Sequence, residues 1–567
     1  MNTQYEKFDL AALVKRGEQY IINMTDEAYD FLPYWYVQIN ENPAYARHVR
    51  VDDAELVASW YEAIVCSLRI LGKDADEKAF KVRDGLKRHL LKSWGEKGLR
   101  FHEEYPWSNI KHASFHEMGW VLAGMNRLLE EEPDNKEAEK RSAELVKGLR
   151  SLVYERKIKT FWSGDFPFED KIYEFPSDLY IAGEGFVPER ITGRGEEVIR
   201  NAVLLQPLVV RAERFGDKIA LDLAEGIANY TLTISRYFNY KCEFFGHVHS
   251  AVWFAMGLVR LGKLLNRDYY IEKAYKIYSY VKSISSSYGF VPEYAQWMPM
   301  SEGHSETCCI RDMIECALNL ISCGYDEWEL IDKYTRNHLT EQQFTYGDFI
   351  ITDNEKEDIQ GKTWKNLDKR IIGGWSGGGG ANSLSITKFR SIAGCCVGTA
   401  PQALFYVWEQ IIKESEKGIY INLPIEKENL TARVEIGYPN DGFMKITAKK
   451  AGDYYIRIYD WMGSKIELNV NGRAVPVLYK DGCIFVQNIK VDDVISIHHC
   501  LELIKKNEIV QDREYTISWK GSDVVKIEPE GDHLRLYQRE IGTKKAYPPK
   551  IGVSGGEMNM GPTSIKK

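Results

Sequence analysis

The sequence carries no excess of basic residues. Its 74 Lys+Arg stand against 82 Asp+Glu, a net charge of −8 over 567 residues. No stretch gathers them into the stripe that phosphate neutralisation needs, which excludes nucleic acid and anionic membrane surfaces as partners. No run of about 18 apolar residues is evident that would span a bilayer. The opening stretch, MNTQYEKFDLAALVKRGEQY, lacks the apolar centre of a secretory signal. A soluble, cytoplasmic protein is the expectation, and in that reducing setting ten cysteines do not form a disulfide framework. CxxC spacing is also missing, so a zinc ribbon or finger is excluded. Disorder is excluded in turn by 44% hydrophobic and 12% aromatic residues. The 34 Tyr and 14 Trp point toward a ligand that rings can stack on, such as a carbohydrate.

From about residue 10 to residue 415 the apolar residues recur at helical spacing, as in ELVASWYEAIVCSLRIL, MGWVLAGMNRLLEE, AVLLQPLVVRAERF, SAVWFAMGLVRLGKLL and IRDMIECALNLISCG. Each run ends in a polar turn carrying an aspartate and is followed by a second amphipathic helix. Five such hairpins and a terminal helix over residues 401–413 imply a toroid of about six pairs, an (α/α)6 barrel, whose long connections at 154–195 and 339–397 would build a pocket on one face. After Gly418 short alternating runs take over, divided by Asp441-Gly442, Asn471-Gly472, Asp481-Gly482 and Gly531-Asp532. The expected division is a mainly α catalytic domain over 1–417 and an all-β sandwich over 418–567 that ends in an extended Gly/Pro/Lys-rich tail.

Six cysteines stand alone (Cys66, Cys242, Cys316, Cys323, Cys483 and Cys500) and read as small buried hydrophobes. The other four form two adjacent pairs. Cys308-Cys309 follows Glu306 at the start of a helix with Ile310, Met313, Ile314, Ala317 and Ile321 on its apolar face. Cys395-Cys396 follows the glycine-rich GGWSGGGGANS and precedes a helix expected to carry Pro401 in its first turn. A helix start favours anions, so it helps to hold a carboxylate or thiolate ionised. Three thiolates and a carboxylate would suit Zn²⁺. Spacing alone leaves buried structural cysteines open as the alternative.

The combination of Glu306-Thr307-Cys308, the later Cys395-Cys396 pair, the strand Tyr-Ile-Asn-Leu-Pro-Ile at 420–425 and the β segments YYIRIYDW, DGCIFVQNIKVDDVISI and YTISWKGSDVVKIEP resembles glycoside hydrolase family 127, the retaining β-L-arabinofuranosidases. The likeness runs over roughly residues 50–540. It implies an (α/α)6 barrel followed by a β-sandwich, and a zinc ion held by Glu306, Cys308, Cys395 and Cys396. Cys395 would be the nucleophile of an exo-acting retaining glycosidase working on small glycosides or oligosaccharides, and Cys309 falls outside this set.

The family's acid/base lies shortly before the Glu-x-Cys motif, where this chain offers Glu293 and Glu302. Glu293 is favoured because Phe290, Tyr294 and Trp297 would surround it with apolar surface that keeps a carboxylic acid protonated. The loop is shorter than the family's and lacks its Gly-Glu-Ala context. A sugar-binding histidine at a comparable helix start corresponds to His249, with His247 as the fallback, and His116 in SFHEMGW is a further candidate. Trp297 and Trp375 are candidates to stack on a sugar face. Two other readings stay open: a uronic-acid lyase or epimerase on the same barrel, which would not need the thiols, and a non-catalytic carbohydrate-binding or zinc-stabilised scaffold.

Overall fold

A computed structural model of the chain describes residues 3–48, 53–108, 111–156, 171–188, 195–296, 303–359, 361–384, 392–531, 534–543 and 545. Its helices are α1 (Leu10–Asn23), α2 (Asp53–Leu71), α3 (Glu77–Leu90), α4 (Phe115–Glu131), α5 (Lys136–Leu152), α6 (Glu196–Phe215), α7 (Lys218–Leu232), α8 (Val248–Leu265), α9 (Asp268–Ser283), α10 (Thr307–Ile321), α11 (Trp328–Tyr334), the single turn α12 (Leu367–Arg370) and α13 (Gly394–Ile411). The helices α2, α4, α6, α8, α10 and α13 each pack against the next, and α13 returns to α2 to close a ring. Backing them are α3, α5, α7, α9 and α11, while α1 comes from the N-terminus to pack on both α2 and α13. That arrangement is an (α/α)6 barrel.

Sequence determines which ring a helix joins. In α3 only Ala79, Val82, Gly85, Leu86, His89 and Leu90 are buried, one stripe against the inner ring. In α2 every residue from Asp53 to Ser67 is buried, because an inner helix has neighbours on nearly all sides. The hairpins turn on side-chain caps: Asp76, Asn135 and Asp217 accept backbone N–H groups at the starts of α3, α5 and α7. By length and mean hydropathy α8 could cross a membrane, contrary to the sequence reading, yet 78% of that window is buried as part of the inner ring.

The terminal helix departs from expectation. It begins at Gly394 rather than near Pro401, so Cys395 and Cys396 lie in its first turn and Pro401 sits in its interior. Proline there leaves the Val397 carbonyl without an intrahelical donor, which costs about 3 kcal/mol.

Beyond α13, strands at 412–415, 418–421, 452–457, 483–489 and 479–480 form a five-stranded sheet. Those at 427–428, 432–436, 443–448, 494–499, 466–470 and 473–474 form a six-stranded one. Their inward residues, among them Ile419, Tyr454 and Ile484 from the first and Val434, Ile446 and Ile495 from the second, share one apolar core. A separate three-stranded sheet (Leu503–Val510, Arg513–Lys520, Asp523–Glu528) leaves that sandwich and packs Ile517, Val524 and Ile527 with Tyr288 and Phe290 from a barrel loop. The expected tail beyond residue 545 lies outside the described residues, as does Asp532.

Candidate metal centre

Short backbone ladders carry the site. Gly246-His247 pairs with Tyr294-Ala295, the Val248 N–H donates to the Glu293 carbonyl, and the Glu293 N–H donates to that of His304. Ser305 and Gly379 exchange N–H···O bonds of 2.7 and 3.0 Å. On the other side Ile392-Ala393 pairs with Tyr36-Val37, and the Gly394 N–H donates to Trp35. Thus the starts of α8, α10 and α13 are drawn to one end of the barrel. The glycine-rich stretch is needed for this approach. A Cβ at Gly377 would lie 2.9 Å from that of Ala393 and 3.7 Å from Cys396 Sγ, and one at Gly379 would meet the Gln342 side chain at 2.1 Å.

At that end Glu306, Cys308, Cys395 and Cys396 bring one donor atom each to within 4.8 Å of one another. Cys308 and Cys396 Sγ are 3.7 Å apart, and Glu306 Oε1 lies 3.6 Å from Cys395 Sγ and 3.7 Å from Cys396 Sγ. A tetrahedral zinc with Zn–S of about 2.3 Å and Zn–O of about 2.0 Å has S···S and S···O edges of about 3.8 and 3.5 Å. Donor chemistry and spacing therefore both fit a tetrahedral Zn²⁺ or a similarly thiophilic ion. Cys395 is half-buried while the other three ligands are buried. Thr399 donates its hydroxyl to Cys308 Sγ at 3.4 Å.

The thiols are unequal. Burial, reinforced by the neighbouring thiols, pushes Cys308 well above the ordinary cysteine value. The Cys308 hydrogen bond lowers Cys395, but its bond with Cys396 and its burial outweigh this and leave it raised. For Cys396 burial is overcome by hydrogen bonds from both other thiols, which bring it down to about 7. Cys309, buried and pushed up by burial, points its Sγ to Glu306 Oε2 at 3.9 Å. It lies beside the cluster rather than in it.

Beside the thiols stands a second group. His247, Glu293 and Glu306 are all buried, with donor atoms within 4.8 Å of one another. His247 Nε2 lies 3.6 Å from Glu306 Oε2, and its Nδ1 is 2.9 Å from Ser250 Oγ. Glu293 pairs with His304. His249, the second residue of α8, is buried with Nδ1 on Asp312 and its ring edge-on to Trp253. Asp312 is held in turn by Arg311, which stacks on Trp253. His116 lies at the start of α4 with Nε2 3.2 Å from Glu55, whose charge reaches Cys395.

Trp375 does not take the role sequence suggested. It is fully buried, donates its indole N–H to the Leu339 carbonyl at 3.0 Å and fills the space left by Gly17 of α1, so no ring face is open to a sugar. Trp297 and Glu302 lie outside the described residues. Sequence reasoning missed His304, which stands two residues before Glu306 in the same motif, and Glu55 and Asp312, which lie on inner helices and read there as ordinary helix charges.

No protein-family model matches the chain, and no curated protein matches it. Among solved structures it is similar to a GH127 β-arabinofuranosidase, with a TM-score of 0.57 at 14% identity over 91% of this chain and 80% of that one. The GH127 β-L-arabinofuranosidase of Geobacillus stearothermophilus T6 gives 0.56 at 13% identity, over 92% and 86% of the two chains. A further glycoside hydrolase gives 0.55 at 13%, over 88% and 84%. At such identities the likeness is one of fold.

Proposed function

We propose that the chain is a divergent member of glycoside hydrolase family 127. In this reading it is a zinc-dependent, retaining, exo-acting glycosidase with β-L-arabinofuranosidase-like preference for small glycosides or oligosaccharides. The observation that carries the reading is the meeting of Glu306, Cys308, Cys395 and Cys396 at tetrahedral edge lengths, next to a second buried carboxyl, Glu293. The likeness of fold and the two cysteine motifs agree with it. Ten cysteines without a disulfide fit a reducing, cytoplasmic setting.

A cation on these four residues would stabilise thiolate at neutral pH. Cys395, the most accessible of the three thiols, attacks the anomeric carbon. Its C–S bond forms as the glycosidic C–O bond breaks, and Glu293 gives its proton to the departing oxygen. In the second half the Glu293 carboxylate takes a proton from water, and the water oxygen displaces the Cys395 sulfur with net retention. His304 holds the Glu293 carboxyl in place. His247, His249 and His116 are the sugar contacts of this reading.

Two measurements test it. Protein purified without chelator should hold one equivalent of zinc by elemental analysis, and Cys396→Ser should lose most of it. Glu293→Gln given an activated aryl β-L-arabinofuranoside should accumulate a chain heavier by one glycosyl unit, mapped to Cys395. A metal-free wild type, or a Glu293→Gln chain that never gains mass, would sink the reading.

A further inference from the structure

The hard donors beside the thiols have a use of their own. Glu306 turns its two oxygens in different directions: Oε1 faces Cys395 and Cys396, and Oε2 faces His247 Nε2 at 3.6 Å. That distance is close to the edge of about 3.4 Å expected for nitrogen and oxygen ligands bound tetrahedrally at about 2.1 Å. Glu293 completes a buried trio whose donor atoms span no more than 4.8 Å. Each outer face is braced as metal ligands usually are, with Ser250 on His247 Nδ1 and His304 on Glu293.

We propose that His247, Glu293 and Glu306 form a second, inhibitory divalent-cation site, with Glu306 bridging it to the thiolate centre. It rests on the role given to Glu293 above. One nitrogen and two carboxylate oxygens take Zn²⁺ or Mn²⁺, less tightly than three thiolates take zinc, so the two sites fill in order. The first equivalent completes the thiolate centre. The second places a cation on the Glu293 lone pair, and a carboxylate so engaged can neither carry the proton to the leaving oxygen nor take one from water. Excess zinc thereby silences the enzyme without displacing the first ion.

The full-length chain holding one equivalent is dialysed against buffers of rising free zinc, with metal content and hydrolysis followed together. Uptake of a second equivalent is expected, with loss of activity in step and protection by substrate. Glu293→Gln, which keeps the shape of the side chain, and His247→Gln should both stop at one equivalent. Loading with cobalt adds a spectral check: the first ion should bring sulfur-to-cobalt charge-transfer absorption and the second should not. Wild type that stops at one equivalent under millimolar zinc, a second equivalent that survives both substitutions, or one that adds sulfur absorption overturns the second site alone. A chain with no first equivalent overturns the thiolate reading and this one with it.

Discussion

His102 is charged in full burial. Its ring lies against Asp53 at the start of α2, contacts Glu117 of α4 at 2.6 Å and stacks on His112 with centroids 4.0 Å apart. Burial opposes its charge, but the two carboxylates outweigh this and push its pKa up to about 10 from an ordinary 6.5. Asp53 is held below its ordinary 3.8 by the same contact in spite of its burial. A raised folded value stabilises fully below 6.5 and fades as pH climbs through 10, whereas the lowered Asp53 stabilises above 3.8 and fades in acid. We expect His102→Gln to cost about 3–5 kcal/mol at neutral pH, the penalty of stripping a buried ion of its partner. Denaturant unfolding should show that cost shrinking toward pH 10, and a cost constant over this range would refute the charged pair. The thiolate ligands were legible where chemistry is written in adjacent letters, as in Glu306-Thr307-Cys308 and Cys395-Cys396, and Glu293 and His247 were singled out by their neighbours and by the family resemblance. His102 and Asp312 act through Asp53 and His249, partners far away in the chain, and such pairings leave no local pattern. Trp375 was misread for the opposite reason, because a tryptophan among glycines looks like an exposed ring, although those glycines are what let it pack inward.

The barrel elements were legible because amphipathic spacing survives in every outer helix and apolar bulk in every inner one. Two features were not. Pro401 concealed the true start of α13, and the strands at 503–528 alternate in the same way whether they join a sandwich or cover a barrel loop. Contact between inner helices depends on small residues. On α4, a Cβ at Gly119 would strike the Val203 carbonyl of α6 at 2.5 Å; on α13, one at Gly398 would come within 2.8 Å of the Ser59 Cβ of α2. Neither helix can yield without moving its whole length, since interiors are close-packed. Gly119→Ala and Gly398→Ala should each lower stability by about 1–3 kcal/mol. Only Gly398→Ala, two residues from Cys396, should also weaken zinc retention, read by competition with a chromophoric chelator. Equal zinc affinity in the two variants would show that the α2–α13 contact does not position the thiols.

At the scale of the molecule, an underwound turn ties the barrel to the β region, alongside the packing of Tyr288 and Phe290 against the three-stranded sheet. Residues Thr335–Leu339, following α11, form a π-helical turn, and the extra residue swings three polar side chains outward from the barrel. Arg336 bonds Asp332 within the barrel, reaches Asp523 of the three-stranded sheet at 3.1 Å and donates to the Pro424 carbonyl at 2.9 Å. Asn337 donates to the Ser522 carbonyl and accepts from the Val524 N–H, both at 2.8 Å. His338 lies 3.1 Å from the Tyr537 hydroxyl and is driven down to about 3 by burial, so it serves as a neutral partner. Arg539 returns from the far end of the chain to Glu341 at 2.7 Å and to the Arg336 carbonyl at 2.7 Å. A network this buried tolerates no half-measures, because losing one member strands the charge of another. The two regions should therefore melt as one unit. Asp523→Ala, made in the β region, should cost about 3–5 kcal/mol and lower a single calorimetric transition of the whole chain. Combined with Arg336→Met it should cost less than the sum of the two, with a coupling of about 0.5–3 kcal/mol. Two separate transitions, with only one moved by Asp523→Ala, would mean that the β region rests on the barrel without stabilising it.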